Sequence, residues 1–215
     1  MTYLELINDV LVRLRETTVA TNNETTYSSL IGKFVNDAKR QVEDAFSWNA
    51  LGTTVTLTTV ANTYSYSLTG AGQKFQVMDA INTTSNVGLQ NISFVQMNRF
   101  QNLVPVATGV PEYYAFDGVD ASGDTKVSLY SRPDSVYTIL FSLTVPQATL
   151  SSDGTSILVS DTLVAQNAYA RALVERGEDG GLSSSEAYQL YKSMLSDSIA
   201  LEATRYPENQ EFVAI

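Results

Sequence analysis

Apolar positions recur with a helical period in the first fifty residues. Over residues 3–16, Leu4, Ile7, Leu11 and Leu14 fall on one face, widened by Leu6 and Val10. Thr2 followed by Glu5 has the spacing of a capping box, so this helix starts at its first apolar residue. The polar stretch "TTVATNNETT" (17–26) reads as a loop. A second helix is predicted from about Tyr27 to Ser47. Ile31, Phe34, Val35, Ala38, Val42 and Phe46 form its apolar side; Lys33, Asn36, Asp37, Lys39, Arg40, Glu43 and Asp44 fill the other.

The period then changes. In "TTVTLTTV" Val55 and Leu57 alternate with threonines, and in "TYSYSL" Tyr64, Tyr66 and Leu68 alternate with polar neighbours. With Ala61-Asn62 as the turn, the two predict a β-hairpin. A strand follows around 74–82, then "FVQMNRFQNLVP", which suits either a short helix or an irregular loop. Tyr113–Phe116, Val127–Tyr130 and Val136–Val145 read as three further strands separated by Asp-Gly, Ser-Gly and Pro-Asp-Ser turns. Helical spacing returns over Asp161–Arg176, with Gly177 as C-cap. Ser183 and Glu186 predict a capping box for a last helix over 184–204, which Pro207 stops.

The expected architecture is therefore α+β: a four-helix bundle built from both chain ends (1–51 and 157–207), an inserted antiparallel β domain (52–156) and an extended C-terminal tail (208–215). Trp48, the single tryptophan, stands where helix gives way to strand and is expected to pack where the bundle meets the insert.

Composition narrows the function. The 215 residues are 44% hydrophobic and 17% charged, which suits a folded domain with a core. No apolar run approaches the roughly 20 residues of a membrane span, so no membrane association is expected. The acidic start "MTYLELINDV" lacks a basic region, so synthesis and retention in a cytoplasm are expected. The chain has no cysteine and no histidine. Thiol chemistry is excluded, and the commonest general base and metal ligand are missing. No catalysis, cofactor or metal is expected. The net charge of −10 opposes sequence-independent grip on nucleic acid.

Three motifs could carry chemistry. "DGVDASGD" groups Asp117, Asp120 and Asp124 as a calcium loop would, but Ser128 stands where such a loop needs glutamate, so a hairpin turn is expected. "ERGEDGG" gathers Glu175, Glu178 and Asp179, the candidates for a carboxylate hydrolase; a link between helices is the preferred reading, with Arg171 and Arg176 neutralising it. "LTGAGQK" lacks the third glycine of a dinucleotide loop. Tyr64, Tyr66, Tyr113, Tyr114, Tyr130 and Tyr137 make the insert aromatic, which suits sheet packing and also a sugar-binding surface.

Four stretches, "LIGKFVNDAKRQVEDAFSWNAL", "GVPEYYAFDG", "SLYSRPDSVYTILFS" and "ALVERGEDGG", resemble head-to-tail adaptors of short-tailed bacteriophages, the tail tubular protein A class, over about residues 3–210. The resemblance implies a structural virion protein at the head–tail junction. It implies a dodecameric ring between portal protein and tail nozzle protein, with DNA passing through the lumen unbound. On that reading Lys33, Asp37, Arg40 and Asp44 are candidates for the interface between copies, and Phe212, Val213 and Ile215 for the portal contact, by adding an edge strand. The alternative is a carbohydrate- or receptor-binding phage tail module using the tyrosine-rich β domain.

Overall fold

The computed structural model describes residues 1–103, 105–177 and 181–205. The chain divides into two compact units. One comprises Met1–Leu51 and the described residues from Gln147 onward; the other is Gly52–Pro146.

The helical unit contains α1 (Tyr3–Arg13), α2 (Thr26–Ala45), α4 (Asp161–Arg176) and α5 (Leu182–Ala203). A further helix, α3 (Phe94–Asn102), belongs to the other unit, so the described residues hold five α-helices rather than four. The start of α1 is set by the reciprocal Thr2–Glu5 box: Thr2 N donates to Glu5 Oε2 at 2.8 Å, and Glu5 N to Thr2 Oγ1 at 3.3 Å. Thr25 and Ser28 cap α2 in the same way, and Gly177 closes α4 in the left-handed conformation. The expected Ser183 cap is not used; α5 begins at Leu182, behind a left-handed Gly181.

α1, α2 and α4 pack pairwise around Leu6, Ile7, Val10, Ile31, Val35, Val42, Leu163 and Ala168, all buried. Leu4 lies off this face and is only half-buried. Gly32 sits under the Tyr3 ring, where any Cβ would collide with the phenol, so the two helices approach closely at that point. α5 packs chiefly on α4, through Ala187 and Tyr191. The unit thus has three mutually packed helices, with a fourth laid chiefly on α4. Trp48 joins this same core: it is 6% exposed, and its indole Nε1 donates to Val42 O at 2.7 Å.

α2 corrects a second expectation. Asn36, Lys39 and Glu43, expected on the side opposite the apolar row, are buried. They hold the chain as it re-enters the unit after the β region. Asn36 pairs with both backbone groups of Leu150, accepting from its N–H at 2.8 Å and donating to its C=O at 3.0 Å. Lys39 Nζ donates to Gln147 O at 2.6 Å and to both Glu43 oxygens at 3.1 Å, and Glu43 Oε1 accepts from Gln147 N at 3.1 Å. Residues 147–156 therefore belong with the helices, ten positions earlier than the expected return at 157.

The second unit is a β-sandwich. One sheet has the order β1-β10-β3-β4, from Gly52–Thr58, Thr138–Thr144, Gln76–Asn82 and Val87–Gly88. The other has the order β2-β8-β7-β5, from Ser65–Ser67, Thr125–Tyr130, Tyr113–Val119 and Gln90–Asn91. A two-residue pair, β6 (Thr108–Gly109) with β9 (Arg132–Pro133), lies apart. Leu57, Ala80, Ile139, Phe141 and Leu143 of the first sheet share a core with Tyr114, Val127 and Leu129 of the second and with Leu68 just after β2. The Tyr114 and Phe141 rings meet edge-on at 5.4 Å.

The expected hairpin between residues 55 and 68 does not form. β1 pairs with β10, Gly52 opposite Thr144, while β2 pairs with β8 in the other sheet. Alternation marks both strands, but the partner of each is set by the shared core. The pairing is also not wholly antiparallel, since β5–β7 and β6–β9 run parallel.

The buried Lys39–Glu43 pair generates two predictions. Removing one charge leaves the other buried, so Lys39→Met should cost about 3–5 kcal/mol in urea unfolding. Lys39→Met/Glu43→Leu also removes the partner of the Gln147 amide; it should still cost less than the single change, and a double loss as large as the single one would show that the backbone bonds outweigh the buried charge. The second concerns pH. Burial raises the Glu43 carboxyl above its ordinary value, against the pull of Lys39. The folded state then holds this proton more tightly than the unfolded chain. The Glu43 contribution is fully present below the unfolded value of about 4.3 and is lost as pH rises through the folded value. Unfolding midpoints of Glu43→Gln should lack this decline, which parallel titrations of both proteins would reveal.

Candidate assembly face

Helix α2 has two polar strips with different fates. Asn36, Lys39 and Glu43 adjoin the apolar row Val35, Ala38 and Val42 and turn inward. Lys33, Asp37, Arg40 and Asp44 follow one another at spacings of four, three and four residues and are all exposed. That spacing keeps them on one side of the helix. The four candidate interface residues thus form a single exposed row of alternating sign. Within it, Arg40 Nη2 donates to Thr149 Oγ1 at 3.0 Å, which ties the row to the re-entering chain.

The helix beneath the row is well fixed. On its inner side lie Ile31, Val35 and Val42, each with no exposed surface, and the Asn36 and Lys39 clamps. Lys33, Asp37, Arg40 and Asp44 are therefore presented from a rigid element, which suits recognition of another surface.

The other candidate groups are accounted for within the chain. Asp124 Oδ1 accepts from Gly70 N at 3.1 Å and Gly72 N at 3.0 Å. Asp120 Oδ1 accepts from Ser122 N and Asp124 N, and hydrogen bonding, to Ser67 first, lowers its carboxyl below the ordinary range. Asp117 accepts from Ser128 Oγ. The three form the β7–β8 turn and its supports, and no group of three or more potential metal ligands is present among the described residues.

Arg176 pairs with Glu16 and donates to Tyr27 Oη at 3.0 Å and to Leu14 O at 3.1 Å. Arg171 donates to Gln41 Oε1 at 2.9 Å and Asn167 Oδ1 at 3.3 Å. Glu175 is exposed on α4, while Glu178 and Asp179 lie outside the described residues.

The tyrosines are largely consumed by packing. Tyr114 and Tyr137 are buried. Tyr137 Oη donates to Asp134 at 2.6 Å, and Tyr66 Oη donates to Thr63 O at 2.7 Å. Phe100 stacks on Tyr130 at 4.7 Å and leans on Tyr113. Tyr64 lies under the Arg132 guanidinium, 4.9 Å from the ring centre. No row of open aromatic faces emerges from these six.

A rigid helical unit with an outward charged row, joined in sequence to a β-sandwich, is an architecture suited to assembly. The model of one family, described as SU10 adaptor protein, matches residues 1–211. The chain belongs to the SU10 adaptor protein family. Membership over nearly the whole length agrees with the phage head-to-tail adaptor class that the sequence resembles, and makes the protein a virion component. A search of curated proteins finds no match. Among the described residues, no helix of this adaptor is long and apolar enough to cross a membrane.

Sequence reasoning missed the inward strip of the adaptor's second helix. Its signal was present: Asn36, Lys39 and Glu43 repeat the apolar positions 35, 38 and 42 shifted by one residue. The candidate portal-contact residues Phe212, Val213 and Ile215 lie outside the described residues.

Proposed function

We propose that this adaptor is a structural, non-catalytic protein that assembles into a dodecameric ring between the portal protein and the tail nozzle protein. The ring encloses the passage through which DNA leaves the head. The observation that carries the reading is the family match over 1–211. The exposed row Lys33, Asp37, Arg40 and Asp44 supports it, because alternating charge on a rigid helix favours a defined register against a complementary surface. Each copy would offer this row to a different surface on the next, the head-to-tail contact that closes into a ring.

The acidic balance fits a conduit. With a net charge of −10, the protein does not attract phosphate, so DNA can pass without adhering. Synthesis takes place in the host cytoplasm, with assembly on a completed portal. The apolar residues Phe212, Val213 and Ile215 reach the portal by adding a strand to an exposed sheet edge.

Light scattering of the purified protein, alone and mixed with the portal ring of the same virus, tests this. The expected result is a monomer that joins the portal in many copies; a protein that ignores the portal would refute the adaptor ring. Lys33→Glu/Arg40→Glu should change folding stability by no more than about 1 kcal/mol and reduce ring assembly by at least about tenfold. Deleting residues 208–215 should leave the melting curve unchanged and weaken portal binding; unchanged binding would remove the tail from the portal contact.

A further inference from the structure

Two glycine-containing segments are locked to each other in the β-sandwich. The loop after Leu68 is held from β8 and its preceding turn. Asp124 takes the amides of Gly70 and Gly72. Thr125 donates to Gly72 O through its amide at 3.0 Å and its hydroxyl at 2.7 Å. Gly72 itself has φ +67°, so the loop bends where a side chain would be strained. These bonds fix the backbone from which Gln73 projects.

Beside this loop opens a cleft of about 460 Å³. Phe75, Val77 and Phe116 supply its apolar surface, and Gln73, Gln76, Asn91 and Thr125 its polar part. The two phenyl rings meet edge-on with centres 5.4 Å apart. Both rings are only half-buried, while Gln73 and Asn91 are exposed. Asn91 stands on β5 opposite Tyr114 of β7. Four polar and three apolar residues line it, so it can hold one face of a small molecule while the other stays in water.

The lining restricts the ligand class. None of the lining residues is ionisable, so nothing there compensates the desolvation of a charged ligand. Carboxamides both donate and accept, as paired hydroxyls require. Aromatic and aliphatic walls need an apolar face on the ligand. A neutral pyranose has both, with hydroxyls around its edge and C–H groups on its face. We propose that the cleft formed by Phe75, Phe116, Gln73, Gln76 and Asn91 binds a neutral hexose, free or at the end of a glycan. None of the six tyrosines and none of the α2 row lines the cleft, and the site does not depend on the ring proposal.

Saturation-transfer NMR on the full chain tests this with methyl glucoside, methyl galactoside and N-acetylglucosamine, with glucuronate as the charged control. The expected result is transfer to at least one neutral sugar with a dissociation constant of about a millimolar, and none to glucuronate. Gln73→Ala/Asn91→Ala removes exposed side chains, so the fold should persist while affinity falls at least about tenfold. Phe116→Ala should abolish transfer. No transfer to any neutral sugar at about 50 mM, or transfer undiminished in the Gln73→Ala/Asn91→Ala protein, would overturn the assignment. If sugar transfer is absent and that variant instead loses incorporation on the portal, the cleft is a protein contact and the sugar site is refuted. Portal incorporation retained by the variant alongside lost sugar transfer would support it.

Discussion

The fold depends on satisfying a backbone that returns to the helices without a strand partner. After β10 the chain re-enters at Gln147, and its amide and carbonyl groups must find partners once buried. Helix α2 provides them from side chains. Glu43 takes the Gln147 amide, Lys39 its carbonyl, and Asn36 both groups of Leu150. A buried ion pair is by itself weak evidence for stability. Here it also closes two backbone hydrogen bonds, and that combination explains charged groups on the inner side of an otherwise apolar helix.

This arrangement lets two distant parts of the chain make one helical unit. α1 and α2 precede the β region, α4 and α5 follow it, and the contacts of α4 with α1 and α2 span that whole separation. The entropic cost of closing so long a loop grows only slowly with its length. A direct clamp at the re-entry point supplies what those contacts need: a fixed position from which α4 can start. It also holds α2 rigid from within, and so fixes the row Lys33, Asp37, Arg40 and Asp44 on its outer side. One helix thereby serves two purposes, closure of the fold inside and presentation of charge outside.

The β-sandwich solves its own problem differently. Its aromatic residues fill the inner faces and the flank beneath α3, as the Tyr114–Phe141 and Phe100–Tyr130 contacts show. Its acidic turn residues are spent on backbone amides rather than on a metal. What is left open is the cleft at Phe75 and Phe116, whose wall those same turn residues hold in place.

Local pattern determined much of this protein. Helical period and capping chemistry located α1, α2 and α4, since both act within a turn or two of chain; Thr2–Glu5 and Gly177 act as read. The change to period two marked the β region, and the absence of histidine and cysteine narrowed its chemistry before any fold was known. Tertiary structure decided the rest. Whether Lys39 and Glu43 face water or core depends on where Gln147 returns, more than a hundred residues later. Whether β1 meets β2 or β10 depends on which pairing buries Leu57 against Ile139, and alternation alone is blind to that. Gly181, rather than Ser183, precedes α5, whose packing on α4 begins at Ser184 and Ala187. The cleft is invisible in sequence for the same reason: Gln73 lies in a loop, Asn91 on β5 and Phe116 on β7, and only the β5–β7 pairing and the held loop bring them together.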